Sequence, residues 1–163
     1  MLPSQKLRSE YSMSDVTFEI LQNWHIPAIV ELEHQLFSGE EWSREQFIAE
    51  AALIGDTRMY WVAKSEGRII GYCGVIVVDD FADVATIAVV PEFRRQGIAR
   101  RMMAMIQEHA IQRGANRILL EVRTTNESAI ALYKSLGYAI IAERPNYYGP
   151  NLDAYVMEAG LAA

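Results

Sequence analysis

The sequence predicts an α/β fold: one domain in which a mixed central sheet of about seven strands is flanked by about four helices. Three observations point to it. Runs rich in β-branched and aromatic residues interleave with runs whose apolar residues recur every three or four positions. Two runs in the first half are joined by Ser65-Glu66-Gly67, a short turn of the kind that makes an antiparallel hairpin. Strand, helix, strand from Ala82 to Arg123 implies a right-handed crossover between parallel strands, so the sheet holds both orientations.

In chain order, Met1 to Asp15 is polar and lacks apolar periodicity, and it reads as a flexible leader ahead of a domain spanning 16–163. Val16, Phe18 and Ile20 alternate with polar neighbours as in a half-buried strand. Ile26, Ile29, Val30, Glu33 and Phe37 follow helical spacing and stop near Gly39; Ser43 is placed to cap a second helix through about Leu53, with Phe47 and Ala51 on one face. Met59 to Ala63 and Arg68 to Val78 form the hairpin, and Asp79-Asp80 is the next turn. Ala82 to Val90 is a strand stopped by Pro91, which has no amide hydrogen for a ladder. Gly97 to Arg113 carries Ile98, Met102, Met105, Ile106 and Ala110 on one stripe and ends at Gly114. Ile118 to Val122 is a buried strand. Asn126 caps a helix whose Ala129, Leu132 and Leu136 are expected to face the core, and Gly137 ends it. Strands at about Tyr138 to Glu143 and Asp153 to Glu158 close the fold around the loop Arg144 to Pro150.

Composition narrows the function. The chain has 163 residues, 51% hydrophobic and 22% charged, which excludes a largely disordered protein. Fifteen Lys and Arg against twenty-one Asp and Glu give a net charge of −6, which disfavours a general nucleic-acid binder and suits a basic partner. The single cysteine, Cys73, forms no intramolecular disulfide and reads as a buried strand residue, in keeping with a reducing cytoplasm. No apolar run approaches the roughly 18 residues of a membrane span, and no apolar signal-peptide centre is present. His25, His34 and His109 are scattered without metal-ligand spacing, so no metal is expected.

The strongest chemical signal is Arg94-Arg95-Gln96-Gly97-Ile98-Ala99-Arg100-Arg101, four arginines in eight residues between a strand end and a helix start. Amides at a helix N-terminus and the positive end of its dipole attract phosphate, and Gly97 lets that phosphate come close to the backbone. A solvated basic turn would explain the charges but not the glycine. The segment lacks the Lys-Ser/Thr ending of a nucleotide phosphate loop, and no Gly-x-Gly-x-x-Gly occurs in the chain.

Arg94-x-x-Gly97-x-Ala99 after an apolar strand resembles the coenzyme A pyrophosphate signature of the GCN5-related N-acetyltransferases (GNAT). Leu120-Glu121-Val122-Arg123, Asn126, Ala129 to Tyr133, Leu136-Gly137-Tyr138, Asn146-Tyr147-Tyr148 and Asp153-Ala154 resemble the bacterial ribosomal-protein-alanine N-acetyltransferase (RimI) branch in order and spacing, over about Val16 to Met157. The resemblance implies a GNAT-type domain whose parallel strand pair splays at the acetyl-CoA site. It implies that the pyrophosphate lies over Arg94, Arg95, Gln96, Gly97, Ile98 and Ala99, and that the backbone of Ile87, Ala88 and Val89 pairs with the pantetheine arm. Asn126 is then a coenzyme contact as well as a cap, and Tyr133 a coenzyme contact and the general acid toward the leaving thiolate.

Acetyl transfer from a thioester also needs an acceptor for the amine proton. Glu121 is the only carboxylate in the strand Ile118 to Val122; its residues alone suggest an ion pair with Arg117 or Arg123, whereas the resemblance makes it the general base. Trp42, in the step Trp42-Ser43, and Asn146, Tyr147 and Tyr148 are the implied peptide-binding residues, although Pro145 stands where the family is usually basic and Glu40-Glu41 replaces the usual apolar-proline lead. Seven acidic residues against one basic between Glu31 and Asp56 form a solvated face or steer a basic peptide. The implied substrate is a protein α-amino group, the N-terminal alanine of small-subunit ribosomal protein eighteen, with acetyl-CoA as cosubstrate and neither membrane nor nucleic acid as partner. A lysine or small-molecule amine, or coenzyme A binding without turnover, are the competing readings.

Overall fold

A computed structural model describes residues 15–162; apart from Asp15, the expected leader lies outside the described residues. The strands are β1 (Val16–Ile20), β2 (Arg58–Ser65), β3 (Arg68–Val78), β4 (Phe81–Val89), β5 (Arg117–Arg123), β6 (Ala139–Arg144) and β7 (Ala154–Gly160). They form one seven-stranded mixed sheet in the order β1-β2-β3-β4-β5-β7-β6. The helices are α1 (Ile26–Leu36), α2 (Arg44–Ala51), α3 (Ile98–Gln112) and α4 (Glu127–Ser135), with short 3₁₀ turns at Asn23–His25 and Pro91–Phe93. Internal contacts divide the chain into two compact units, one running to Gly74 and including Thr86–Met103, the other comprising Val75–Ala85 and the residues from Ala104 onward.

In the first unit β1 lies antiparallel to β2, from Val16 opposite Ser65 to Ile20 opposite Trp61. Glu66 (φ 50°) and Gly67 (φ 77°) give the two consecutive left-handed residues that a two-residue hairpin turn requires. Pro27 sits in the first turn of α1, where its missing amide hydrogen costs no helical bond. Ser43 caps α2 and Gln46 returns the bond, a reciprocal box that fixes where the helix starts. The core contains Ile26, Ile29, Phe47, Tyr60, Val62, Ile70, Tyr72, Ile98 and Met102. Tyr60 lies against Gly74 so closely that a Cβ there would collide with its ring. Its hydroxyl is held by Glu50 of α2 at 2.9 Å, and Glu50 is in turn paired with Arg58 at 2.8 Å.

In the second unit β5 pairs antiparallel with β7 along its whole length, from Arg117 opposite Gly160 to Arg123 opposite Ala154. Strand β6 covers the other side of β7, with an irregularity between Ile140 and Ala142. Pairing of β4 with β5 is parallel and brief: Phe81, Ala82 and Asp83 lie opposite Arg117, Ile118 and Leu119. Among the described residues the ladder is not continued through Val84 and Ala85 or through Leu120 and Glu121, which is the expected splay. Even-numbered residues of β5, Ile118, Leu120 and Val122, are buried, while Leu119, Glu121 and Arg123 occupy the half-buried face.

Two expectations are corrected here. In α4 only Tyr133 is buried, whereas Ala129, Leu132 and Leu136 are half-buried, because a nine-residue helix presents one narrow stripe inward. Strand β6 starts after Tyr138 because the Tyr138 amide donates to the Tyr133 carbonyl at 3.0 Å and belongs to the helix end.

Replacing Gly74 with alanine should lower the free energy of unfolding by about 1–3 kcal/mol, the usual cost of overpacking. Urea denaturation checks this, with an unchanged slope and a lowered midpoint expected.

Candidate active site

The sequence-derived site residues fall into two groups, one in each unit. In the first unit, Val89 ends β4 and its carbonyl accepts from Arg94 Nε at 3.0 Å, which fixes the entry to the phosphate turn. Arg95 (φ 61°) and Gly97 (φ 83°) are both left-handed, so the backbone folds back on itself and turns amides inward in the manner of an anion-binding nest. A Cβ on Gly97 would meet nothing within 4 Å, so the space over the turn is open. Helix α3 starts immediately afterwards at Ile98, and the first amides of a helix have no carbonyl one turn before them. Ile98 and the strand residues Ala88 and Val89 are buried; Ile87, Gln96 and Ala99 are half-buried, and Arg94 and Arg95 are exposed.

Also in the first unit, the Trp42 amide donates to Glu33 Oε2 at 3.0 Å and the Tyr72 hydroxyl donates to Glu33 Oε1 at 2.7 Å. Glu33 is 2% exposed, and burial holds its carboxyl above the usual range against the pull of those two hydrogen bonds. The Trp42 ring packs on Phe47 with centroids 5.2 Å apart. Trp42 is thus fixed by a buried carboxylate that sequence reasoning placed on α1 only as part of its apolar stripe.

In the second unit, β5 carries Glu121 beside the end of the parallel ladder. Arg144 pairs with it, Nη1 lying 3.9 Å from Oε1. Arg117 sits at the far end of β5 and pairs with Glu158 at 4.0 Å, while the Arg123 guanidinium lies over the Tyr148 ring at 5.6 Å. Arg144 at the end of β6 reaches across and lies over the Tyr147 ring at 5.7 Å. Tyr147 and Tyr148 meet edge to face at 4.8 Å. Their loop is shaped by Asn146, left-handed at φ 56°, whose amide donates to Asp153 at 2.8 Å and whose side chain accepts from the Asn151 amide at 2.7 Å.

Helix α4 supplies the other two residues. Asn126 is its cap, accepting from the Ala129 amide at 3.3 Å, and is exposed. Tyr133, seven residues on, is buried; burial and then Tyr138 push its phenol up to about 12, so it is protonated at neutral pH. The Tyr148 phenol is also raised, mainly by burial and then by Tyr147, Glu121 and Tyr133, which places it within electrostatic reach of strand and helix.

Sequence reasoning missed Asp83. It is the one charged residue in the otherwise apolar and polar-neutral run Ala82 to Val90, a signal available in the sequence. Its Oδ1 is buried and has no hydrogen-bond partner among the described residues. Burial, followed by the charge of Glu121, raises its carboxyl to about 6, with Arg144 acting in the opposite sense. Among the described residues no group of His, Cys, Asp and Glu is arranged to hold a metal, and no helix is long and apolar enough to cross a membrane.

Comparison with known proteins bears on this arrangement. Residues 22–138 match the model of the acetyltransferase (GNAT) family. An N-alpha-acetyltransferase RimI of Mycobacterium tuberculosis is 35% identical over 148 residues, which cover 87% of this chain and 90% of that one. The [ribosomal protein bS18]-alanine N-acetyltransferase of Escherichia coli is 31% identical over 132 residues, covering 81% of this chain and 86% of that one. A crystal structure of the Escherichia coli ribosomal-protein-S18-alanine N-acetyltransferase superposes with a TM-score of 0.81 at 29% identity, over 91% of this chain and 95% of that one. An uncharacterized Mycobacterium leprae protein is 38% identical over 133 residues, and the match spans 36% of that longer chain. The chain belongs to the GNAT acetyltransferase family, and the activity that the family model and these relatives support for it is N-acetyl transfer.

The raised carboxyl of Asp83 has a consequence for stability. A folded-state value of about 6 against 3.8 means that Asp83 favours folding below about pH 4 and loses that contribution as the pH rises through 6. Asp83→Asn removes the dependence, so its melting temperature should gain on wild type between pH 4 and pH 7. Calorimetric scans across that range measure it; a constant difference would refute it.

Proposed function

We propose that the chain transfers the acetyl group of acetyl-CoA to the α-amino group of a protein N-terminus, with the N-terminal alanine of a small-subunit ribosomal protein as substrate. The observation that carries the reading is the second-unit cluster, in which the Tyr148 phenol lies within electrostatic reach of Glu121 on β5 and of the buried, protonated Tyr133 on α4. The printed names of relatives 31% and 35% identical support the choice of substrate.

Acetyl-CoA supplies an acetyl group activated as a thioester. The turn at Arg95 to Ala99 fits its pyrophosphate: two left-handed residues and a helix start lie beside an open space in an arginine-rich segment. The strand residues Ile87, Ala88 and Val89 are assigned to the pantetheine arm, Arg94 to fixing the turn, and Asn126 to a coenzyme contact alongside its cap bond. Glu121 accepts the proton that frees the amine lone pair, directly or through one water. Tyr133, held in its neutral form, donates a proton to the departing sulfur. Trp42 in the first unit, and Asn146, Tyr147 and Tyr148 in the second, are each assigned to contact with the peptide. A protein α-amino group suits this base because its pKa near 7.7–8.0 is well below the roughly 10.4 of a lysine.

Glu121→Gln should retain the fold and coenzyme affinity but lower turnover on an alanine-starting peptide by roughly 10²-fold or more. Tyr133→Phe should lower turnover with little change in coenzyme affinity. Single-turnover kinetics and acetyl-CoA calorimetry measure both, and wild-type rates with chemistry limiting would remove the assigned roles. Gly97→Val forces a β-branched residue into a left-handed turn, and calorimetry of the folded variant should show weakened coenzyme binding. Mass spectrometry of peptides bearing different N-termini tests the substrate, with acetylation only at lysine side chains as the overturning result.

A further inference from the structure

We propose that Arg144 is a positioning residue for the reaction, whose guanidinium beside Glu121 drives the bound substrate amine into its uncharged, nucleophilic form. The inference rests on the acetyl-transfer reading and deepens it. Arg144 is the last residue of β6, an edge strand exposed along its whole length. Its Nη1 lies 3.9 Å from Glu121 Oε1, and its guanidinium lies over the Tyr147 ring at 5.7 Å. At 3.9 Å the contact is longer than a hydrogen bond, so charge holds the pair and Oε2 is left to an arriving N–H donor.

A peptide amine that Glu121 is to deprotonate arrives as an ammonium ion, and a carboxylate beside it favours that charged form. The base works against itself unless a second charge offsets it. A cation on the same carboxylate is a like charge to the ammonium and lowers the amine's proton affinity, while Glu121 stays within hydrogen-bond reach to take the proton. The proton passes from nitrogen to Glu121, directly or through one water, and the freed lone pair forms the bond to the acetyl carbon. The electron pair of the breaking carbon–sulfur bond leaves with sulfur, which takes the Tyr133 proton. The second nitrogen proton restores Tyr133, and the one held by Glu121 passes to solvent.

The charged and titratable groups that face Arg144 are Glu121 from β5, Asp83 from β4 and Tyr147 from the loop after β6, all within the second unit. The charge of Arg144 reaches across this group, since it opposes the upward push of burial on both the Asp83 carboxyl and the Tyr147 phenol. Its side chain is 55% exposed, so water screens it. Across about 6 Å, from the guanidinium past the carboxylate to the amine, two unit charges screened in this way shift a midpoint by roughly 0.5–1 pH unit. The other role open to the guanidinium is to hold the Tyr147 ring. The two separate cleanly, because stacking needs the planar guanidinium whereas the electrostatic role needs only the charge.

The test compares wild type, Arg144→Gln and Arg144→Lys, as the full chain, by kcat on a saturating alanine-starting peptide from pH 6 to 9.5, with single turnovers establishing that chemistry is limiting. Arg144→Gln should keep its circular dichroism and acetyl-CoA affinity. It should lose about three- to tenfold in kcat at pH 6.5 and come within about twofold of wild type at pH 9.5, because its ascending limb moves up by roughly 0.5–1 unit. Arg144→Lys keeps the charge and should restore most of the loss. An unchanged limb in Arg144→Gln overturns the proposal, as does an equal loss at every pH or a loss that Arg144→Lys leaves in place, either of which returns the residue to holding Tyr147. Carbon-13 carboxyl titration of the free protein checks the reach of the charge: the Asp83 midpoint should be higher in Arg144→Gln than in wild type, and an unchanged midpoint overturns the proposal. Absence of peptide acetylation by the wild type would overturn the transfer reading instead.

Discussion

Where β4 and β5 cease to pair, after Asp83 and Leu119, the sheet gives up hydrogen bonds that a continuous parallel ladder would have made. Backbone groups at such a parting must find other partners, and an extended ligand with amides of its own is one that a strand edge accepts. The face of β5 beside the parting carries Glu121, while its other edge stays locked to β7 by seven opposed pairs. The strand is therefore held along one side over its whole length, which places Glu121 on a rigid support.

Charge in the second unit is organised around that carboxylate. Arg144 neutralises Glu121 from the end of an exposed edge strand, and the same guanidinium holds Tyr147. Arg123 holds Tyr148 in the same way. Both aromatic residues of the loop thus lie against arginines of the sheet, so the loop and the surroundings of Glu121 share their supports. The surface-exposed half of the Arg144 ion pair contributes little to stability; its effect is on geometry and on the protonation of neighbours.

The first unit holds a local excess of positive charge in a protein of net charge −6. It concentrates arginines at one turn and adds backbone dipoles there, with Arg95 and Gly97 left-handed. It also fixes Trp42 through a carboxylate, Glu33, that is buried and accepts from both the Trp42 amide and the Tyr72 hydroxyl. An unpaired carboxylate at that depth would be costly, so these two donors are what allow Glu33 to stand there.

The local sequence determined the elements and their ends: Ser43 and Asn126 as caps, Gly67 in the hairpin turn, Pro91 closing β4, Gly114 and Gly137 closing helices. These depend on the conformations and hydrogen bonds of a few consecutive residues, which is why they can be read from the chain. Arg94 to Ala99, Glu121, Tyr133 and Asn146 to Tyr148 were legible as a pattern for the same reason, since each lies on one short segment. Tertiary structure decided who meets whom. Arg144 pairs with Glu121 because strand register across β5, β7 and β6 brings it there, and register joins residues distant in sequence. Asp83 was visible as a lone acid in an apolar strand, but only the parallel alignment with β5 put it on the face of Glu121, and only the fold left its buried oxygen without a donor among the described residues. Burial and proximity are properties of the folded chain as a whole, so they fix the electrostatics of the site beyond anything a linear pattern records.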